Sequence, residues 1–181
     1  EIVGRPYSIV SAPGDPFLEF YFSTVPEGPL SPRLSALKAG DAVQVAPKPN
    51  GFLVLDEVPP SIHLWLVSTG TGLGPFLSIL QTAEPWQRFQ RVVLVHAART
   101  ADELTYRRAI ARIAEAEPKR FTYVPFLSRE SADYALAGRI PQAIADGRLE
   151  ARAGLGFDAA LAHVMLCGNP AMVADASAAL T

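Results

Sequence analysis

The sequence predicts an α/β protein with a smaller all-β portion in front of it. Residues 1–60 read as a partial antiparallel barrel, and residues 61–181 as a parallel-sheet α/β domain with helices on both faces. Three observations carry this reading. Ten of the sixteen prolines lie in residues 1–60, among short alternating runs. After Pro59-Pro60 the pattern changes to apolar runs alternating with helical stretches. Each of those apolar runs ends in a cluster of small or polar residues, as buried strands feeding functional loops do.

In the first portion, Leu18, Phe20 and Phe22 alternate with Glu19, Tyr21 and Ser23, and Val25 follows; a period of two predicts a strand with one buried face. Val43–Val45 and Phe52–Leu55 read as further strands, separated by the turn cluster Lys48-Pro49-Asn50-Gly51. A short helix interrupts them, with Ser31 as N-cap, Pro32 at the first helical position, and Leu34 and Leu37 facing inward. In the second portion, strands are expected at 63–67, 92–96, 121–126 and 164–167. Helices are expected from Pro75 to Gln81, from Asp102 to Glu117 with Tyr106, Ile110, Ile113 and Ala114 on one face, over 140–144, and from Pro170 onward.

Length and composition bound the possibilities. At 181 residues, 49% of them hydrophobic, the chain can build one ordinary domain or two small ones with a real core. A net charge of −2 argues against bulk binding to nucleic acid or a membrane surface. The longest apolar run is far short of a membrane span. The lone Cys167 excludes an internal disulfide and points to a reducing cytoplasm. No signal-peptide pattern opens the chain. There is no initiator methionine, and Ala178-Ala179-Leu180-Thr181 stops inside a helical pattern, so both ends read as cut.

Ligands of open parallel sheets bind beyond the carboxyl ends of the strands, so the strand tips are the candidate site. The first delivers Ser68-Thr69-Gly70-Thr71-Gly72, the second Ala97-Ala98-Arg99, the third Leu127-Ser128-Arg129-Glu130 and the fourth Cys167-Gly168-Asn169-Pro170. Gly70 and Gly72 suit either a phosphate approaching backbone N–H groups or merely a tight turn; G-x-G alone leaves both open. Arg99 and Arg129 at neighbouring tips, with Arg139 ten residues on, suit a phosphate monoester, whose oxygens a guanidinium binds two at a time. Asp102 and Glu103 keep a ribose diol, and hence NAD, open as an alternative, although they fit a first helical turn equally well. Ser128 either donates to a phosphate or caps a turn. Cys167 is either a buried structural thiol or a neighbour of a nicotinamide ring; with no histidine partner it is not read as a nucleophile. His63 and His163 lie at strand starts, on the opposite edge, and His96 reads as a satisfied core residue. In the first portion, Arg5-Pro6-Tyr7-Ser8 combines a cation, a ring and a hydroxyl within a strand, fit for a flat phosphorylated heterocycle or for an ordinary strand. Gly28-Pro29-Leu30-Ser31-Pro32 is a second anion candidate, or simply a capped helix.

Taken together, RPYS (5–8), GPLSPRL (28–34), STGTGLGPF (68–76), VLVHAAR (93–99), SRE (128–130), GRIP (138–141) and MLCGNPAM (165–172) resemble the bacterial ferredoxin/flavodoxin–NADP+ reductases, in family order and across essentially the whole chain. The resemblance implies an FAD-binding barrel over 1–60 and an NADP-binding domain over 61–181. It implies that Arg5, Pro6 and Ser8 hold the flavin, with Tyr7 packed on its ring and Ser8 near the atom that exchanges hydride. Tyr21, Phe22 and Ser23 would border the FAD, Pro29, Leu30 and Ser31 would bring N–H groups to its pyrophosphate, and Thr71 would touch both cofactors. For NADP it implies Gly70, Thr71 and Gly72 at the loop, Ala98, Arg99, Ser128, Arg129 and Arg139 at the 2′-phosphate, and Gly168, Asn169 and Asp175 along the remaining wall, with Cys167 facing the nicotinamide. No metal is implied. The activity implied is hydride exchange between NADP(H) and FAD, then single-electron exchange with a ferredoxin or flavodoxin, by a cytoplasmic monomer. The family's barrel strands ahead of RPYS and its carboxy-terminal tail are missing here. Gly74 stands where alanine is often seen, and Ala174 where a charged residue is common. Two other readings remain open: an NADH-dependent flavin reductase serving an oxygenase, and a non-catalytic NADP-binding fragment.

Overall fold

The computed structural model describes residues 3–181; Glu1 and Ile2, with which the expected barrel portion begins, lie outside the described residues. Five parallel strands form one sheet: β1 (His63–Thr69), β2 (Arg91–Ala98), β3 (Phe121–Leu127), β4 (Leu136–Ala137) and β5 (Ala162–Cys167), in the order β4-β3-β2-β1-β5. The chain steps outward from β1 to β4, then crosses back to place β5 on the other side of β1. The strand order therefore reverses at β1, and the crevice between the β1 and β5 tips is the switch point where such sheets bind ligands.

The strands are apolar on both faces because helices cover both. Leu64, Leu66, Val92, Leu94 and Met165 face one side, where α2 (Leu73–Leu80) contributes Leu73, Phe76, Leu77 and Leu80, and α4 (Arg107–Ala116) contributes Ile110. Trp65, Val67, Val93, Val95, Val124 and Phe126 face the other, against α5 (Ile140–Ala145), α6 (Arg148–Ala153) and α7 (Pro170–Leu180). Tyr106, Ile113 and Ala114 join Ile110 on one side, as their spacing predicts. Two short helices, α3 (Glu84–Arg88) and α6, and the two-residue β4 carry no sequence signal of their own length.

Four local expectations are corrected. Helix α4 begins at Arg107, not Asp102, because Ala101–Glu103 form a separate 3-10 turn and Tyr106 enters the helix in the left-handed region at φ 57°. Pro75 is the third residue of α2, not the first; it still costs no hydrogen bond, since first-turn N–H groups lack intrahelical acceptors. Ser31 is the first residue of α1 (Ser31–Ser35), not its N-cap. Its hydroxyl instead accepts from Val25 N–H at 2.9 Å, closing the preceding loop. Leu37 lies beyond that helix and is exposed.

The antiparallel barrel expected over residues 1–60 does not appear among the described residues. The segments at 18–25, 43–45 and 52–55 form no ladder; the one pairing is the bridge between Ile9 and Phe20, with Val10 N–H donating to Glu19 O at 2.8 Å. A strand exists through its partner, and these segments lack neighbours along most of their length. Leu18, Val43, Val45 and Phe52 are accordingly exposed, Phe52 at 81%. What anchors this portion is its contact with α2 and α3. Val10, Leu55 and Val58 are buried in the same core as α2. Ser78 Oγ and Gln81 Nε2 donate to the Ser11 and Val10 carbonyls at 2.7 and 2.9 Å, and Arg88 donates to the Leu55 and Val58 carbonyls. Gly74 permits the approach: a Cβ there would lie 3.2 Å from Val10 Cγ2.

Candidate nucleotide site at the strand tips

The four predicted clusters fall on one edge, beyond the carboxyl ends of β1, β2, β3 and β5. At the switch point the loops after β1 and β5 touch. Asn169 N–H donates to Thr69 Oγ1 at 3.0 Å, and Asn169 Oδ1 caps α7 by accepting from Ala171 N–H. The two glycines of the first loop differ in role. Gly70 takes φ 51° with open space where a Cβ would stand. Gly72 is ordinary in φ, but a Cβ there would lie 2.4 Å from the Cys167 carbonyl oxygen, so its missing side chain serves contact with the β5 loop. Gly168, at φ 145°, likewise has no room for a Cβ beside Thr69. Of the three, only Gly70 has open space on its side-chain face; the signal separating the roles is the strand order, which the sequence pattern does not contain.

On the other side of β1, three adjacent strands present cations. Arg99 follows β2, Arg129 follows β3, and Arg139, the residue before α5, lies two positions after β4. Arg129 N–H donates to the Arg99 carbonyl at 2.9 Å, and Gly138 N–H to the Leu127 carbonyl at 3.0 Å, so the three backbones are laced together. All three side chains are exposed, and none has an ion-pair or hydrogen-bond partner among the described residues. Two nearby acids are engaged. Glu103 Oε2 accepts from Arg99 N–H at 2.9 Å and Glu130 Oε2 from Ala101 N–H at 2.7 Å. Glu103 is thus committed to the turn it closes, which weakens the diol alternative, and Asp102 lies in that same turn. Ser128 is exposed, with its hydroxyl 3.4 Å from the Ala98 carbonyl, a long contact that leaves it available.

Cys167 ends β5 half-buried, and burial pushes its thiol pKa up, opposite to the shift an activated nucleophile needs. Asp175 is exposed on α7, one turn beyond the tip cluster. Thr71 is half-buried in the 3-10 turn Gly70–Gly72 that leads into α2.

The RPYS residues lie next to the Ile9–Phe20 bridge rather than in a strand. Arg5 and Ser8 are exposed; Tyr7 meets Phe22 edge to face at 5.8 Å. Tyr21 points elsewhere, stacking edge-on against Tyr106 at 5.4 Å, and Tyr106 Oη donates to Glu19 at 2.7 Å. These contacts tie the first portion to the start of α4. Ser23 and Pro29 are exposed and Leu30 is half-buried. Among the described residues no group of three His, Cys, Asp or Glu is placed to hold a metal, and no helix is long and apolar enough to cross a membrane.

Sequence reasoning missed one polar residue at this edge. His96, read as a satisfied core histidine, is fully buried but only half satisfied: Nε2 lies 3.2 Å from the Gly70 carbonyl, while Nδ1 has no partner.

Comparisons with known proteins agree with this geometry. Residues 66–178 match the oxidoreductase NAD-binding domain family. The flavodoxin/ferredoxin–NADP reductase of Escherichia coli (strain K12) is 50% identical over 175 residues, which cover 97% of this chain and 71% of that protein. The ferredoxin–NADP reductase of Pseudomonas aeruginosa is 38% identical over 99% of this chain and 74% of its own. Among solved structures, a ferredoxin NADP+ reductase from Neisseria gonorrhoeae with bound FAD and NADP superposes with a TM-score of 0.91 at 32% identity, covering 97% of this chain and 71% of that one.

Proposed function

The chain belongs to the flavodoxin/ferredoxin–NADP reductase family, and on that premise we propose how its residues divide the work. It is an oxidoreductase that exchanges electrons between NADP(H) and a one-electron carrier, ferredoxin or flavodoxin, through FAD. Bound FAD supplies the two-electron acceptor that releases electrons singly.

The protein's share is binding and alignment. Arg99, Arg129 and Arg139, with Ser128 beside them and the Ala98 backbone beneath, grip the adenosine 2′-phosphate. The single observation that carries this is three unpaired guanidiniums on three consecutive strand tips, two neighbouring acids engaged by backbone N–H groups. Gly70, Thr71 and Gly72 form the pyrophosphate side, and Gly168, Asn169 and Asp175 the opposite wall. Cys167, a neutral thiol, packs beside the nicotinamide and moves no proton.

Residues 1–60 act as the flavin-binding portion and 61–181 as the NADP-binding domain. In the first, Arg5, Pro6, Tyr7 and Ser8 hold the flavin, Tyr21, Phe22 and Ser23 border it, and Pro29, Leu30 and Ser31 meet its pyrophosphate with backbone groups, since the Ser31 hydroxyl is taken by Val25. Thr71 lies between the two cofactors. The exposed Arg5 guanidinium and Ser8 hydroxyl fit such a ligand. Support for a barrel here comes from the superposition, which spans nearly all of this chain on an FAD-bound relative. The exposed side chains of Leu18, Val43, Val45 and Phe52 support it too, as strands without their barrel partners would leave apolar residues uncovered. The reading extends to a monomer acting in the cytoplasm, where a lone cysteine stays reduced.

The full-length protein should carry flavin absorbance that NADPH bleaches and that oxidised carrier restores by taking the electrons, with NADH far slower. Colourless protein that binds NADPH would instead support a non-catalytic fragment. Equal bleaching by NADH would support an NADH-dependent reductase.

A further inference from the structure

His96 has no part in the account above, yet its placement carries a cost that calls for a reason. It lies at 0% exposure near the tip of β2, with Nε2 3.2 Å from the Gly70 carbonyl oxygen. A carbonyl only accepts, so Nε2 bears the proton in this contact. The neutral ring then offers Nδ1 as a bare acceptor, and Nδ1 is buried without a partner. An unpaired buried acceptor is destabilising, and an apolar side chain would avoid it. The ring is therefore useful here for what Nε2 does.

Its effect follows from peptide planarity. The described residues contain no cis peptide, and in a trans peptide the C=O and the next N–H point in opposite directions. Drawing the Gly70 carbonyl inward onto His96 turns the Thr71 N–H outward, toward the space before the strand tips. Thr71 is the second residue of the turn entering α2, so the turn provides its N–H with no acceptor. Gly70 itself, at φ 51° with nothing within 4 Å of its would-be Cβ, exerts no side-chain hold on that peptide. Besides His96, the Gly70 carbonyl is held by Leu73 N–H from within the turn.

We propose that His96 is a positioning residue for the dinucleotide: its Nε2–H fixes the Gly70–Thr71 peptide so that the Thr71 N–H meets the pyrophosphate of NADP(H). The inference rests on the reading of this loop as the pyrophosphate side of the NADP site. It differs from the arginine contacts in acting through the backbone and on a different part of the ligand.

The test uses the full-length protein and two probes: NADP+, which spans both regions, and adenosine 2′-monophosphate, which lacks the pyrophosphate. His96→Leu should raise the Kd for NADP+ and the KM for NADPH by about tenfold, the scale of one charge-assisted hydrogen bond. It should leave kcat within about twofold and adenosine 2′-monophosphate binding unchanged. His96→Gln, whose amide N–H has similar reach, should restore NADP+ binding most of the way. Equal loss of both probes, no loss of NADP+ binding, or a glutamine variant as poor as leucine overturns the proposal. Arg129→Ala run alongside separates the two failures: if it spares adenosine 2′-monophosphate, the nucleotide site is wrongly assigned and the proposal falls with it. Should His96→Leu not fold, 15N NMR of the unaltered protein decides instead, since a ring protonated on Nδ1 at neutral pH overturns the proposal and one protonated on Nε2 supports it.

Discussion

Replacing Gly72 with alanine tests the geometry of the switch point. The added Cβ would meet the Cys167 carbonyl oxygen at 2.4 Å, its carbon at 2.6 Å and Gly168 Cα at 2.9 Å. All three atoms are backbone, so no side chain can swing aside. The β1 and β5 loops must separate by about 0.6 Å merely to bring the first contact to 3.0 Å. Overpacking of this kind costs roughly 1–3 kcal/mol, and rigid backbone on both sides places Gly72→Ala at the upper end. For a chain of this size that corresponds to a fall in Tm of about 6–12 °C. Gly70→Ala is the matched control: it has open space, and only its left-handed φ of 51° penalises a side chain, by roughly 1–2 kcal/mol. Thermal unfolding of the full-length protein, followed by circular dichroism, should rank Gly72→Ala as the more damaging, with a raised KM for NADPH. A Gly72→Ala protein melting within about 1 °C of the parent refutes the reasoning.

Two further outcomes follow from the structure. Burial lowers the His96 pKa from 6.5 to about 4, against the opposing pull of the Gly70 carbonyl, so the folded protein keeps the ring neutral while the unfolded chain protonates first. This contribution is full above about pH 6.5 and is lost as pH falls to about 4, an effect of roughly 3 kcal/mol. The stability of the parent relative to His96→Gln should therefore fall across that window; a constant difference contradicts it. Tyr106→Phe removes the 2.7 Å bond to Glu19 that joins the first portion to α4. It should cost about 1 kcal/mol, seen as a Tm lower by about 2–4 °C, and an unchanged Tm would show the bond to be idle.

The parallel domain was legible because its strands are continuous apolar runs and each ends in a small or charged cluster. The shared edge of Arg99 and Arg129 followed from the alternation, since parallel strands put every tip on one side, whereas Arg139 was reached only through its nearness in sequence to Arg129, because the two-residue β4 ahead of it carries no signal. What stayed hidden depends on strand order. Nothing in residues 162–167 states that β5 returns beside β1, and from that return come the crevice, the crowding at Gly72 and Gly168, and the Thr69–Asn169 bond. The first portion misled because alternation records which face a strand is built to bury, not whether a partner is present; Leu18 and Phe52 alternate correctly and remain exposed. Ser31 misled because a serine ahead of a proline has the same appearance whether it caps the helix or closes the loop before it. His96 misled because periodicity reports burial, whereas its significance lies in a single orphaned nitrogen.

The central claim is that the arginine edge selects the 2′-phosphate. Steady-state rates of the full-length protein with NADPH and with NADH, before and after Arg129→Ala, address it directly. Loss of a charge-assisted pair removes roughly 1.5–3 kcal/mol, so kcat/KM for NADPH should fall about 10- to 100-fold while the value for NADH holds within about twofold. An equal fall for both nucleotides would contradict the assignment.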